Sequence, residues 1–188
     1  VAYVFIDYYR IEDNVTLSVE GSMTDANPAR VGETYKAVTY NVGFGAYTPD
    51  YTFFMDGGKS SWAESKESVV ETIQGAAQTV QELDPDLILL EEVDLDATRS
   101  YHVAQDALFS QSFADYCYDL AIDFDSPFLF YPFTQPHGKS LSALMTYSRL
   151  PITSALRRSL PISESLSKLV DLDRCYSVSR IPVENGRE

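Results

Sequence analysis

Apolar residues recur with the spacing of a helix over one stretch of the chain. Steps of three, four and seven residues separate the members of this series: Trp62, Val69, Ile73, Ala76, Val80 and Leu83. This period places a single apolar stripe on a helix from about Ser61 to Leu83. Ser60 or Ser61 is expected to cap its start, with Glu64 completing a capping box, and Pro85 is expected to end it.

Strands are predicted on both sides of this helix. The β-branched and aromatic run Tyr35–Val42 precedes it, and the continuous apolar run Asp86–Leu90 follows it, which is typical of a strand buried on both faces. A second helix is predicted over residues 103–120. Four more strands are predicted after it, over Ser126–Phe133, Ser142–Tyr147, Ile152–Ser159 and Cys175–Val183. Strand–helix–strand followed by several strands indicates an α/β domain with a mixed sheet.

The first 34 residues differ from this pattern. Val1–Ile6 is apolar but far shorter than the roughly 20 residues that span a bilayer. It is either an ordinary first strand or the end of a membrane span, with nearby tyrosines at the interface. The chain does not begin with Met, which favours the membrane interpretation and an extracytoplasmic, anchored or secreted protein, although a cytoplasmic location stays open. Residues 10–34 are polar, and we expect a short strand and a stalk before a domain at 35–188.

Composition and charge narrow the class of protein. Hydrophobic residues make up 45% of the 188-residue chain and aromatic residues 13%, which excludes a disordered chain. Its 14 Lys and Arg against 28 Asp and Glu give a net charge of −14, which argues against a general nucleic-acid binder. A phosphoester enzyme stays open, because a bound metal ion can reverse the local field. Cys117 and Cys175 are either two buried thiols or one bridge.

Two strand ends carry side chains suited to chemistry. Asn41 ends the first strand before Gly43 and Gly45, at the edge where ligands of open α/β sheets gather, unless its amide only caps its own turn. Glu91 and Glu92 end the next strand. Consecutive residues of a regular strand face opposite ways, so one of the two carboxylates can line a site there. The alternative for both is a salt bridge or exposure to solvent.

The order of these pieces resembles the endonuclease/exonuclease/phosphatase superfamily of magnesium-dependent phosphodiesterases and phosphomonoesterases. The family pattern is a strand ending in Asn, a strand ending in Gln-Glu-Val, and a later Ser-Arg-aromatic-Pro-Ile turn. Here Tyr40-Asn41-Val42, Glu91-Glu92-Val93 and Ser148-Arg149-Leu150-Pro151-Ile152 follow that order. The resemblance covers about Tyr35 to Val183. It implies a four-layer α/β sandwich with two mixed β-sheets flanked by helices.

The resemblance also implies roles for these residues. Asn41 takes the place of the family's active-site Asn, which helps to hold phosphate and metal. Glu92 takes the place of the metal-ligand Glu, for Mg²⁺ or Mn²⁺, and Glu91 stands where Gln is usual. Weaker candidates for substrate contacts are Glu91, Arg99, Tyr101, His137 and Lys59.

The family's later motifs are missing from this chain. Its two histidines, His102 and His137, do not stand in the family's Asn-x-His or Ser-Asp-His contexts. We therefore expect a fold truncated on the C-terminal side, with the rest of the domain as its partner and almost no activity alone. The function expected is metal-dependent phosphoester hydrolysis, with a small phosphoester or lipid head group favoured over long DNA. The alternatives are a non-catalytic binding domain on the same scaffold and a nuclease whose basic surface lies in the missing part.

Overall fold

The fold is α+β and contains two β-sheets. The computed structural model describes residues 10–22, 27–161 and 174–188. Within them the helices are α1 (Lys66–Glu82) and α2 (Gln105–Ser112). The strands are β1 (Val15–Leu17), β2 (Glu20–Gly21), β3 (Ala37–Asn41), β4 (Leu87–Asp94), β5 (Cys117–Leu129), β6 (Gly138–Ser148), β7 (Ser154–Ser159) and β8 (Cys175–Arg180).

The larger sheet places two strand ends side by side. Its five strands have the order β2-β5-β6-β4-β3, and the smaller sheet has the order β1-β7-β8. β3 and β4 are parallel, with Asn41 opposite Glu91, whereas β6 runs antiparallel to β4. The carboxyl ends of β3 and β4 therefore meet at one edge, and the start of β6 lies at that same edge.

Helix α1 connects β3 and β4 and covers one face of the sheet. Its stripe is confirmed from Val69 onward, because Val69, Ile73 and Val80 are buried in the main core. Its predicted start was wrong. Ser65 caps the helix by accepting a hydrogen bond from the Ser68 backbone N–H at 3.0 Å. Residues 61–64, directly before Ser65, are not helical, and the Trp62 indole donates to the Pro136 carbonyl oxygen at 2.8 Å.

The larger sheet is covered on only one face along β4. Ile88 and Leu90 point into the core below α1, whereas Leu89 points the other way and is 42% exposed. Thr39, which lies opposite Leu89 on β3, is also exposed. The prediction that this strand is buried on both faces was therefore wrong within the described part of the chain. The run Leu87–Leu90 is apolar on both faces, so its composition could not reveal that one face is open.

The second helix and the strand after it differ from their predicted positions. α2 ends at Ser112, and β5 begins at Cys117 instead of Ser126. Cys117, Asp119 and Ala121 are buried in alternation, the period of a strand, and β5 pairs with β6 along most of its length. Pairing with a partner that lies later in the sequence therefore overrides the helical appearance of residues 117–120. Residues 130–133 follow the strand as a loop.

The described part of the N-terminal segment belongs to the two sheets. β1 pairs with β7, and β2 pairs with β5, so this segment supplies two strands where one short strand and a stalk were expected. Residues 1–9, on which the membrane interpretation rests, lie outside the described residues. Among the described residues, no helix has the length and apolar character needed to cross a membrane. Cys117 and Cys175 are both buried, and they do not form a disulfide bridge in the described structure.

Candidate functional site

Asn41 and Glu92 contact each other at the carboxyl edge of the parallel pair. The Asn41 Nδ2 donates to Glu92 Oε1 at 2.9 Å. The Gly43 backbone N–H donates to Asn41 Oδ1 at 2.9 Å, which fixes the orientation of the amide. Because both atoms of the amide are engaged, the Asn41 side chain holds the Glu92 carboxylate in a defined position. An Asn that only capped its own turn would not make the contact with Glu92.

A bulge in β4 turns Glu92 toward Asn41. The pairing of β4 with β6 shifts between Leu90 and Val93, and Glu92 has a φ of 58°. A left-handed backbone costs a residue other than glycine on the order of 1–2 kcal/mol, and such strain is concentrated at functional sites. Glu91 remains in the ladder, where its carbonyl oxygen accepts from the Val42 N–H at 3.0 Å, and it is exposed. The strand is therefore irregular at the position where the two carboxylates occur.

A buried ion pair lies at the end of β4. Arg99 donates to Asp94 through Nη2 at 2.7 Å and Nε at 2.9 Å, and the Ser100 hydroxyl donates to the same carboxylate at 2.8 Å. Asp94 is fully buried and Arg99 is 8% exposed. The guanidinium also lies 3.9 Å from the centre of the Phe44 ring. Arg99, a sequence candidate for a phosphate contact, is thus engaged inside the protein.

His137 joins this ion pair to a neighbouring loop. Its Nε2 lies 3.4 Å from Arg99 Nη1, and its Nδ1 lies 3.3 Å from the Ser61 hydroxyl. The ring is buried. Burial and the adjacent Arg99 charge lower the pKa of His137 to about 4, so the imidazole is neutral at neutral pH. These contacts indicate that His137 has a structural role, connecting Arg99 to the segment that contains Ser61.

Tyr101 and Lys59, the two other residues predicted to contact substrate, lie in different surroundings. The Tyr101 hydroxyl donates to the carbonyl oxygens of Ala63 and Glu64, both at 3.2 Å, and its ring packs edge-on against Trp62. Tyr101 therefore holds the segment before α1. Lys59 is exposed on a loop, where its backbone N–H donates to the Thr52 carbonyl oxygen. It takes no part in the hydrogen bond between Asn41 and Glu92.

The turn after β6 lies at the opposite end of the sheet. Arg149 Nη1 donates to Asp84 Oδ1 at 2.6 Å, and its guanidinium lies 4.9 Å from the centre of the Tyr116 ring. Ser148 pairs with Leu87 at the start of β4, far along the strand from Glu92. This part of the family pattern therefore supports the fold and does not contribute to the site.

Sequence reasoning missed Asp123 on β5. Burial raises the pKa of its carboxyl to about 6, despite an opposing effect of Arg99. Its Oδ1 is buried without a hydrogen-bond partner in the described structure. The strand period that begins at Cys117 could have placed Asp123 on a strand. The prediction of a helix over residues 103–120 hid this period.

Sequence reasoning also missed a cluster of side chains that joins three segments of the chain. Asp96 contacts Lys139 through Oδ2 and His102 Nδ1 through Oδ1, the latter at 2.5 Å. All three side chains are partly exposed. Asp96 follows the end of β4, and Lys139 lies at the start of β6. The cluster therefore lies at the same edge of the sheet as Asn41 and Glu92.

The fit of a metal ion depends on Glu92. Mg²⁺ prefers oxygen ligands and is often held by one or two carboxylates together with waters and substrate oxygens. Asn41 occupies one oxygen of Glu92, and the other oxygen is available to a cation. In residues 10–22, 27–161 and 174–188, this edge included, no group of three or more His, Cys, Asp or Glu side chains is arranged to hold a metal. The residues at this edge fit an ion held by one carboxylate and completed by water and substrate.

Comparison with known proteins agrees with this architecture. The sequence profile of the Endonuclease/Exonuclease/phosphatase family matches residues 38–185 of the 188-residue chain. No curated protein and no solved structure matches the chain. The match includes β3, α1, β4 and the strands that follow, and thus both Asn41 and Glu92. The chain therefore belongs to the endonuclease/exonuclease/phosphatase family, whose members are generally hydrolases.

Proposed function

We propose that this protein is a divalent-metal-dependent phosphoester hydrolase in which Asn41 and Glu92 hold the metal and the substrate phosphate. The observation that carries the proposal is the 2.9 Å hydrogen bond from Asn41 to Glu92 at the carboxyl edge of β3 and β4. This contact places an oriented amide beside a carboxylate where two parallel strands end. Ligands of open α/β sheets bind at such edges.

The chain's own residues contribute by positioning. Gly43 fixes the Asn41 amide through its Oδ1, so Nδ2 points one hydrogen at Glu92 and keeps a second for a phosphate oxygen. Glu92 offers its remaining oxygen to a cation. A bound Mg²⁺ or Mn²⁺ would neutralise charge on the phosphate. Because phosphoryl transfer depends mainly on positioning and electrostatic stabilisation, this arrangement suits phosphoester hydrolysis.

The charge of the chain favours small substrates. A net charge of −14 repels a long polyanion, whereas one phosphate can be neutralised locally by a metal ion. We therefore propose a small phosphoester or a phospholipid head group as the substrate, in preference to long DNA. The rate of hydrolysis is expected to be higher on such compounds than on duplex DNA at equal phosphate concentration.

The metal site can be tested by calorimetry with Mg²⁺ and Mn²⁺. Glu92→Gln should weaken metal binding at least about tenfold, because it removes the charged ligand. Glu91→Gln is the matched control, since it makes the same change in charge one residue away on an exposed side chain. Equal weakening by both variants would mean that only general charge matters, and equal affinity in all three proteins would exclude the Glu92 site.

Hydrolysis is then measured with bis-p-nitrophenyl phosphate and p-nitrophenyl phosphate, with and without Mg²⁺. Turnover that requires the metal and falls in Glu92→Gln and Asn41→Ala would support the proposal. Metal binding through Glu92 without turnover of any phosphoester, in a protein that also carries the family's later His motifs, would instead support a binding domain on the same scaffold.

A further inference from the structure

The cluster of Asp96, His102 and Lys139 has a geometry that the proposed role of Asn41 and Glu92 does not explain. One carboxylate engages both partners, Lys139 through Oδ2 and His102 through Oδ1. The same contacts lower the pKa of Asp96, so the carboxylate is ionised at neutral pH. The side chain of His102 is 56% exposed, and that of Lys139 is 44% exposed. Both partners therefore remain accessible to a ligand from solution.

Backbone contacts fix the Asp96 and Lys139 segments. The Leu141 N–H donates to the Asp96 carbonyl oxygen at 3.1 Å, which ties the segment after β4 to β6. The Lys139 N–H donates to the Thr98 hydroxyl at 2.9 Å. Gly138 packs so closely on Thr98 that an added Cβ would lie 2.4 Å from its hydroxyl oxygen. These two segments are therefore held in place before any ligand binds.

His102 is held in a strained conformation. Tyr101 and His102 are consecutive residues with φ values of 56° and 57°. The His102 N–H donates to the Ala97 carbonyl oxygen at 2.9 Å and secures this turn. A left-handed conformation at two successive residues other than glycine is costly, and such strain persists where the surroundings impose it. The strain brings the imidazole back to Asp96, six residues earlier in the chain.

The free atoms of the cluster suit a phosphate group. The Lys139 ammonium has three N–H donors and uses one on Asp96, so two remain. With its Nδ1 proton on Asp96, His102 keeps Nε2 for a ligand. A neutral imidazole accepts there from a P–OH group, and a protonated one donates to a phosphate oxygen. Lysine is a common phosphate ligand, acting as a point charge.

We propose that Lys139 and His102, positioned by Asp96, bind a phosphate group of the substrate at the sheet edge that carries Asn41 and Glu92. The inference rests on the proposed function for its place in a reaction. Phosphate binding itself is a separate property, and it can be measured on the chain without metal or turnover. The substrate class that this pair favours is one with a phosphomonoester group, which exposes more oxygens than a diester.

The two histidines of the chain make this site observable by NMR. His102 lies in the cluster, whereas His137 is buried and serves as an internal reference. Inorganic phosphate is titrated into the protein in buffer with a chelator, while the ring-proton signals of both residues are followed. Comparison with His102→Gln assigns the signals. The His102 signal should shift saturably with phosphate, with a much smaller change at His137.

Variants separate an anion site from a plain salt bridge. Lys139→Gln should weaken phosphate binding about tenfold, because it removes a charge-assisted hydrogen bond, whereas Lys139→Arg keeps most of the affinity. Asp96→Asn should change binding less than Lys139→Gln, because it loses part of the positioning contact but also removes a negative charge next to the anion. A purely structural ion pair predicts that Lys139→Gln and Asp96→Asn have similar effects. The control is Lys36→Gln, since Lys36 lies before β3 at the opposite edge and donates to the Leu83 carbonyl oxygen.

The outcomes distinguish this inference from the proposed hydrolysis. No saturable shift of His102, or equal phosphate affinity in the wild type and Lys139→Gln, would overturn the phosphate site even if the protein hydrolyses phosphoesters. Weakened binding in Lys139→Gln and unchanged binding in Lys36→Gln would support the site even if no hydrolysis occurs. Thermal melting of each variant confirms that it is folded, and Lys139→Ala replaces Lys139→Gln if the latter is not.

Discussion

The buried pair of Asp94 and Arg99 allows a sharp test of how this edge of the sheet is held. Asp94→Asn keeps the shape of the side chain but removes the charge that pairs with Arg99. The Asp94 carboxylate accepts bonds from Arg99 at 2.7 and 2.9 Å and from Ser100 at 2.8 Å, and Asp94 is fully buried. Removing one partner of a buried pair costs about 3–5 kcal/mol, because the other charge is left uncompensated. We therefore expect Asp94→Asn to lower the free energy of unfolding by about 3 kcal/mol.

The matched control lies two residues along the chain. Asp96→Asn makes the same substitution in a carboxylate that also contacts a cation, but Asp96 is 41% exposed. Exposed pairs contribute only about 0–1 kcal/mol, so this variant should unfold within about 1 kcal/mol of the wild type. Urea denaturation at neutral pH measures the free energy of unfolding of both variants. For a chain of this size, each kcal/mol of destabilisation lowers the melting temperature by about 2–4 °C. Asp94→Asn should therefore melt roughly 6–12 °C below the wild type.

A double variant tests whether the loss arises from an unpaired charge. Asp94→Asn combined with Arg99→Met leaves neither charge, so it should be less destabilised than the sum of the two single variants. Equal losses in Asp94→Asn and Asp96→Asn, or strict additivity in the double variant, would refute the argument that burial makes this pair important.

Three further predictions concern titration and capping. Because the pKa of His137 is lowered to about 4, its contribution to stability is present above the ordinary value near 6.5 and is lost as the pH falls toward 4. Urea unfolding at pH 7 and pH 4.5 should therefore show a smaller acid loss in His137→Gln than in the wild type. The pKa of Asp123 is raised to about 6, so its contribution is present below about 4 and is lost as the pH rises through 6. Asp123→Asn should thus gain on the order of 2 kcal/mol at pH 8 relative to the wild type, and no gain there would argue that its carboxylate has an unseen partner. Ser65→Ala should cost about 1 kcal/mol and Ser60→Ala less than about 0.5, and the reverse order by thermal melting would mean that the helix begins earlier.

Several features of this protein follow from local sequence alone. Three elements depend on residues close together in the chain: the apolar stripe of α1, the strand before it and the apolar strand after it. Local spacing and composition therefore predict them. The predicted fold class, two β-sheets with helices packed against them, and the family are confirmed. Asn41 and Glu92 were each predicted at a strand end, and they share an edge because β3 and β4, joined by α1, are parallel. Their contact is seen in the structure, while their chemical roles stay predictions.

Other features exist only because distant segments meet. Ser65, and not Ser60 or Ser61, caps α1, since the preceding residues are held outside the helix by Trp62 and its contact with Pro136. Residues 117–120 form a strand because β6 pairs with them. In each case the local pattern allows two conformations, and a partner later in the chain selects one.

The site shows the same division most clearly. The residue types at the ends of β3 and β4 were readable from the sequence, but the bulge that turns Glu92 toward Asn41 arises from the pairing of β4 with β6. The contact between Asp96 and Lys139 joins residues 43 positions apart. No local period encodes such a pair, because its geometry depends on the register of two strands and on the turns that end them. Sequence thus determined which groups are available at this edge, and only tertiary structure decided which of them touch, because side-chain contact depends on register and burial.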